Sequence, residues 1–333
     1  MQSFTTEQII DIGKQKGFKY NSFKFSIEGD YSSSDSLFNH RDVPHFNHLH
    51  PNLAYGYGNE GIYYGEVVSF IRYYKFLGIS FPILTLMKDD GENRVLETYS
   101  FFCFQFLKLN EEIDQPNDKC LSKITYYIGS KNKLLLHLLT PFFKRMFTKS
   151  FNDFKNDDRP FLNRRGKLKK TGFAFNKDNI KNFRYDSTLN VKKQNFFYTN
   201  GANHKNNETT IDLKNIESNK ILKVNDAGIM GFQVYKDANL IKIYPRVCPH
   251  EGGDLDINSP IGVRYTINDF IKKDCRMRCN IHNRMFDPIV TINLDDDKKE
   301  YKSNMYSFLF KDNKIYVKIR EDVNLKNEID WSK

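Results

Sequence analysis

Cys248-Pro249-His250-Glu251-Gly252-Gly253-Asp254-Leu255 and, further on, Cys279-Asn280-Ile281-His282-Asn283-Arg284-Met285-Phe286-Asp287 decide how the second half of this chain is read. Each stretch carries one cysteine and one histidine, spaced C-x-H in the first and C-x-x-H in the second. Four such ligands have two common uses. A structural zinc takes them tetrahedrally and usually pairs like with like, C-x2-C and H-x3-5-H. A [2Fe–2S] centre with two unlike irons takes two thiolates on one iron and two imidazoles on the other. One cysteine and one histidine per stretch suits the second use better than the first.

The flanking residues strengthen that preference. Cys248 to Leu255 resembles the first cluster loop of Rieske proteins, C-x-H-x-G-x-x-L, and Cys279 to Phe286 resembles the second, C-x-x-H-G-x-x-F. The resemblance implies that Cys248, His250, Cys279 and His282 hold a Rieske [2Fe–2S] cluster. Gly252 would let the backbone close over it and present N–H donors to its sulfurs. Two departures stand out. Asn283 replaces the usual glycine after the second histidine, and asparagine is the residue next most tolerant of left-handed backbone. The 28 residues between His250 and Cys279 exceed the usual span, so an inserted loop is expected over 259–273.

Working outward, 333 residues suffice for two domains with ordinary cores. Phenylalanine (29) and tyrosine (19) are plentiful, which suits β-rich packing or an apolar pocket. The net charge of +10 is spread over scattered lysines. It fits a basic soluble surface better than a nucleic-acid footprint, which would show a clustered arginine patch with interleaved aromatics. Five cysteines, two assigned to the cluster, leave Cys103, Cys120 and Cys275; an odd remainder points to reduced thiols and a cytoplasmic location. The N-terminal stretch has no apolar leader, and the longest apolar run, 134–143, is too short to span a bilayer.

The front of the chain carries the second chemical feature. After a short amphipathic helix (5–16), an alternating strand (18–27) and a polar loop (29–36) comes Asp42-Val43-Pro44-His45-Phe46-Asn47-His48-Leu49-His50. Half of the eight histidines fall between positions 40 and 50. Taken alone, such a loop is an ordinary surface feature or an adventitious metal site. Two imidazoles and a carboxylate are also the facial triad of non-haem Fe(II). Rieske-type ring hydroxylases carry D-x-x-H-x4-H at their mononuclear iron, and Asp42, His45 and His50 match that spacing. The resemblance makes His45 and His50 iron ligands and Asp42 a catalytic residue that accepts a ring N–H of His45 and carries the electron path. His48, three residues after His45, is the alternative to His50.

Residues 52–61 are Gly/Tyr/Asn-rich and read as irregular. Segments 63–76, 80–88, 95–109 and 122–129 read as an antiparallel meander, and 131–154 switches to helical period with Pro141 inside. A sheet closed by one long helix resembles the helix-grip (START-like) catalytic domain of Rieske oxygenases. The expected fold class is therefore α+β: an N-terminal helix-grip domain with mononuclear iron (1–191), a linker (192–216), an all-β Rieske domain (217–322) and a polar tail (323–333). The resemblance places the third iron ligand at the end of the helix, with Asp158 the first candidate, Asp157 the second and Asp153 the third. An acidic step capping the next helical turn is the plain alternative.

Together these features resemble the catalytic α-subunit of a Rieske oxygenase with its two domains in reversed order. The resemblance implies O2, an apolar or aromatic substrate, hydroxylation or related desaturation or demethylation, electrons from NAD(P)H through a reductase or ferredoxin, and a head-to-tail homotrimer. The competing class is a Rieske electron-transfer protein whose N-terminal domain binds a hydrophobic ligand without catalysis. A zinc-stabilised module is the third.

Overall fold

The computed structural model describes residues 4–50, 55–64, 67–76, 79–170, 173–175, 196–198, 208–224, 231–248, 252–259, 264–281, 285–302 and 306–319. The chain divides into two compact units, with the first ending at Gly166 but for a short later piece.

The first unit is a helix-grip fold. Helix α1 (Thr6–Gln15) starts at a capping box between Thr5 and Gln8, and Thr6 anchors it by donating from its N–H and hydroxyl to Asp90 (2.8 and 2.7 Å). Of its three isoleucine positions, Ile10 is buried and Ile12 faces outward. Strand β1 (Lys19–Gly29) follows, then α2 (Ser33–Arg41), a 3-10 turn (Val43–His45), a one-turn helix α3 (Phe46–Leu49), and six strands. These are β2 (Tyr55–Tyr64), β3 (Val67–Phe76), β4 (Ile79–Asp89), β5 (Arg94–Phe101), β6 (Phe104–Gln115) and β7 (Lys119–Ser130). All neighbours are antiparallel, in the order β1-β7-β6-β5-β4-β3-β2, so the meander returns to pair its last strand with the first. Helix α4 (Lys133–Asp153), capped by the side chain of Asn132, runs uninterrupted through Pro141. Its Phe143 and Phe147 pack edge-on against Phe106, and Phe147 stacks on Tyr126. Each such ring removed from water is worth roughly 2 kcal/mol.

Three expectations are corrected here. The supposed polar loop 29–36 already contains the start of α2, because Ser32 and Asp35 form a capping box that nucleates a helix from polar residues. Residues 55–64 form strand β2 with an irregular register between Tyr57 and Ile62, where the glycines are accommodated. Segment 95–109 is two strands, because Phe102, in the left-handed region (φ 52°), turns the chain between Phe101 and Phe104.

The long helix does not end where the sequence suggested. It passes through one π turn (Phe154–Asp158) into α5 (Arg159–Lys170). That second helix is docked firmly: Asn163 accepts from the Asp30 N–H (2.8 Å), and Arg165 pairs with buried Asp35 (3.0 Å). Gly166 lies so close to the Asp30 carbonyl that a Cβ would sit 1.7 Å from it.

The second unit is a β-sandwich. A short pair, β8 (Phe173–Phe175) with β9 (Phe196–Tyr198), precedes it. One sheet is β10 (Glu208–Asp212), β19 (Lys314–Ile319), β18 (Tyr306–Lys311) and β17 (Glu300–Lys302). The other is β11 (Ile221–Val224), β12 (Phe232–Asp237), β13 (Leu240–Pro245) and β16 (Val290–Asn293). Their facing sides supply one core that includes Phe232, Val234, Ile243, Ile292, Phe308 and Val317. The linker expected over 192–216 is corrected in its later part, because β10 pairs with β19 over five residues and is part of this sandwich. The expected inserted loop contains a helix, α6 (Ile267–Lys272), started by a Thr266/Asp269 capping box. The two-residue strands β14 (Met277–Arg278) and β15 (Met285–Phe286) complete the unit. The expected tail, 323–333, lies outside the described residues.

Candidate functional site

Asp42 ends α2, Pro44 sets the following 3-10 turn, and this turn and α3 hold His45 and His50 in the first unit. Both rings are buried, 5.5 Å apart between centroids. Opposite them the π turn carries Asp158, also buried. One extra residue per turn widens the helix locally and re-aims the side chains that follow, which is why such turns recur at functional sites.

The three side chains converge: one ligand atom from each of His45, His50 and Asp158 lies within 4.8 Å of the others. His45 Nε2 is 3.4 Å from Asp158 Oδ1, and His50 Nε2 is 3.0 Å from Asp158 Oδ2. The opposite ring nitrogens each face another carboxylate. His50 Nδ1 is 3.1 Å from Asp157 Oδ2, and His45 Nδ1 is 3.6 Å from Asp42 Oδ2. The side-chain amide of Asn39 donates to Asp158 Oδ1 at 2.8 Å. Asp157 and Asp158, alternatives in the sequence, therefore occupy distinct places: Asp158 between the imidazoles, Asp157 behind one of them. Asp153 makes neither contact, and burial raises its carboxyl above the ordinary range. The side chain of His48 lies outside the described residues.

The electrostatics follow from burial. Desolvation alone would depress the imidazolium of His50, but Asp158 and Asp157 outweigh it and raise its pKa to about 9. Asp158 goes the other way: burial penalises its charge, yet His50 and His45 hold it well below the usual carboxylate range. One buried carboxylate thus demands a cation beside it. Neither ring nitrogen of His45 makes a hydrogen bond of ordinary geometry despite being fully buried. Two imidazoles with a carboxylate are a donor set that suits Fe(II).

The site opens on a cavity of about 770 Å³ between sheet and helix, whose lining includes many aromatic rings, among them Tyr99, Phe104, Phe106, Tyr126 and Phe143. Its wall also carries charge that the sequence reading missed. Arg72 pairs with Glu97 through two nitrogens (2.5 and 3.2 Å), and Lys108 stands 4.0 Å from the same carboxylate. The signal was present in strand parity. Glu97 alternates with Tyr99, and Lys108 with Phe106 and Phe104, so these polar residues had to share the cavity face. Asn39 had no such signal, since nothing in α2 announces a partner 119 residues away.

In the second unit, Cys248 and Cys279 are fully buried, each on a loop closed at its base by strand pairing. The bridge Val247–Asp254 closes the first, where the Cys248 N–H donates to the Gly253 carbonyl (2.7 Å) and the Gly252 N–H to the Cys248 carbonyl (2.9 Å). The Arg278–Met285 pair closes the second. Gly252 has the positive φ (75°) that the turn requires. A Cβ on Gly253 would lie 2.9 Å from Cys279 Sγ, so the first loop passes directly over the second thiol. His250 and His282 lie outside the described residues.

No protein-family model matches the sequence, and no curated protein matches it. Solved structures similar to the chain include a Thermus thermophilus protein (9% identity, 40% of this chain and 90% of that one, TM-score 0.33). A START superfamily protein from Mycobacterium smegmatis is similar at 12% identity over 40% of this chain and 91% of its own, with a TM-score of 0.31. Norcoclaurine synthase from Thalictrum flavum, in complex with dopamine and hydroxybenzaldehyde, shows 14% identity over 43% and 86%, with a TM-score of 0.30. The helix-grip description of the first unit stands on its own strand order and closing helix. No described helix is long and apolar enough to cross a membrane.

Proposed function

We propose that the chain is a Rieske-type oxygenase with its cluster domain last. In this reading His45, His50 and Asp158 hold a mononuclear ferrous ion, and Cys248, His250, Cys279 and His282 hold a [2Fe–2S] cluster. The observation that carries it is the paired second contacts. Each imidazole turns one nitrogen toward Asp158 and the other toward a separate carboxylate, His50 by a hydrogen bond to Asp157 and His45 at 3.6 Å from Asp42; a carboxylate behind a metal-bound histidine holds its tautomer and orientation. The crossing of Gly253 over the Cys279 thiol, with both cysteines buried on pinned loops, supports the cluster half. When bound, the two groups would supply O2 activation and single-electron delivery.

The chain's own residues have separate tasks. Asp157 hydrogen-bonds to the His50 ring and orients it, Asp42 faces the His45 ring at 3.6 Å, and Asn39 donates to the Asp158 carboxylate. The aromatic lining excludes water and takes an apolar or aromatic substrate for hydroxylation, desaturation or demethylation. Electrons come from NAD(P)H through a separate reductase or ferredoxin, in the cytoplasm, to a homotrimer.

The second reading, a Rieske electron carrier with a ligand-binding front domain, is favoured by the same large aromatic cavity. Iron content separates the two. Anaerobically reconstituted protein should hold about three irons per chain, two of them in the cluster. His45→Ala should hold about two, with the reduced cluster's EPR signal unchanged. Two irons in the wild type would leave the electron carrier, and a colourless zinc protein would remove both readings.

A further inference from the structure

At Glu97 the cavity wall brings two cations to one carboxylate. Strand register sets Glu97 directly across from Lys108, and Arg72 on β3 reaches the same carboxylate. Arg72 engages both oxygens of Glu97, and its guanidinium lies 4.7 Å from the centroids of Phe46 and Phe70. A planar fork on a carboxylate, covered by two rings, holds this pair. Lys108 then brings a second cation to an anion already neutralised. At 4.0 Å it is at the outer edge of ion pairing, and its side chain, 19% exposed, makes no hydrogen bond among the described residues. An ammonium has three donors, so Lys108 can still donate to an anionic ligand in the chamber.

The rest of the chamber is built of rings. Tyr99 stacks on Phe106 at 4.8 Å and Tyr126 on Phe147 at 4.5 Å, and Phe143 meets Phe106 edge-on. The charged wall is also near the metal-ligand cluster, since the Phe46 ring beneath Arg72 lies 4.5 Å from that of His45. We propose that the cavity takes an apolar ring system bearing one carboxylate, and that Lys108 receives the carboxylate and orients the rings toward His45 and His50. The anion supplies acceptors to Lys108 and balances the second cation. Arg72 and Glu97 fix the position of Lys108 and do not themselves contact the ligand's charge.

This inference rests on reading the cavity as the substrate chamber, but binding can be measured without turnover. The probes are 2-naphthoate and its neutral isostere 2-naphthamide, titrated by calorimetry into the full chain near neutral pH after chelation of mononuclear metal. Naphthoate should bind about tenfold tighter or more than the amide. Lys108→Met should bring the two to near parity, and Lys108→Arg should restore most of the preference. Equal binding of both probes to the wild type, a preference that survives in Lys108→Met, or no binding of either probe would overturn the proposal. If Lys108→Met does not fold, the wild-type comparison and Lys108→Arg still decide. Loss of the iron assignment would appear in metal content and leave this discrimination intact.

Discussion

At the scale of single residues, the most informative finding is how four carboxylate and imidazole groups divide their work. Asp157 and Asp158 are adjacent in sequence and chemically identical, so no spacing argument could rank them decisively. The π turn places Asp158 between the histidines and leaves Asp157 behind His50, a third exposed. In the proposed iron site Asp157 would orient His50 without itself being a ligand. Asp157→Asn should preserve the number of bound irons at saturating metal and weaken Fe(II) retention about 10-fold to 100-fold, measured by competition with a chelator. Asp158→Asn should remove the site altogether. Identical behaviour of the two variants would show that the division of roles is wrong. Lys108, by contrast, is a residue whose importance came only from the charge around it.

At the scale of elements, loops and helices matter through what pins their ends. The Cys248 loop is clamped at its base: Arg246 bonds Asp256 through two nitrogens (2.9 and 2.5 Å), and Lys223 adds a contact at 3.1 Å. Burial would raise the Asp256 carboxyl, but Arg246 and Lys223 hold it below the ordinary range. A carboxylate with a lowered folded-state pKa contributes stability above its unfolded value, lost as pH falls through the folded one. Between about pH 4 and more acid conditions, the wild type should therefore lose thermal stability more steeply than Asp256→Asn, as followed by circular dichroism. Parallel slopes would show that the clamp is not ionised in the fold. In the same loop, Gly253→Val should prevent cluster assembly while the first unit stays folded, because its side chain must occupy the space beside Cys279 Sγ. An unchanged visible spectrum in that variant would remove the case for a cluster seated there. In the first unit, α5 has the corresponding task, since its contacts with Asp30 and Asp35 hold the π turn in place.

At the scale of the whole molecule, the two units are separately cored. A seven-stranded sheet gripped by α4 makes one, and two packed four-stranded sheets make the other. The proposed chemistry needs both, and in the resembled family electrons cross between neighbouring subunits of a ring. Sedimentation of the reconstituted protein should give about three chains per particle. A monomer at working concentration would exclude electron transfer between subunits and force the cluster to serve the iron of its own chain.

The sequence by itself determined the residue types gathered at the candidate site, the two loops that carry the cysteines, the antiparallel meander and the helix that closes it. Such features are local: alternation, helical period and short spacings are written over a few residues and need no distant partner. Even at this level polar capping boxes and glycines misled, hiding α2 and β2 within apparent loops. Only the tertiary structure decided that Asp158 lies between the two histidines while Asp157 meets His50, that Asn39 holds Asp158, and that Arg72 joins Glu97 and Lys108 on one cavity wall. Those choices depend on contacts between residues 25 to more than 100 positions apart. Strand register, one π turn and the docking of α5 set them, and none of these leaves a periodic mark on the chain.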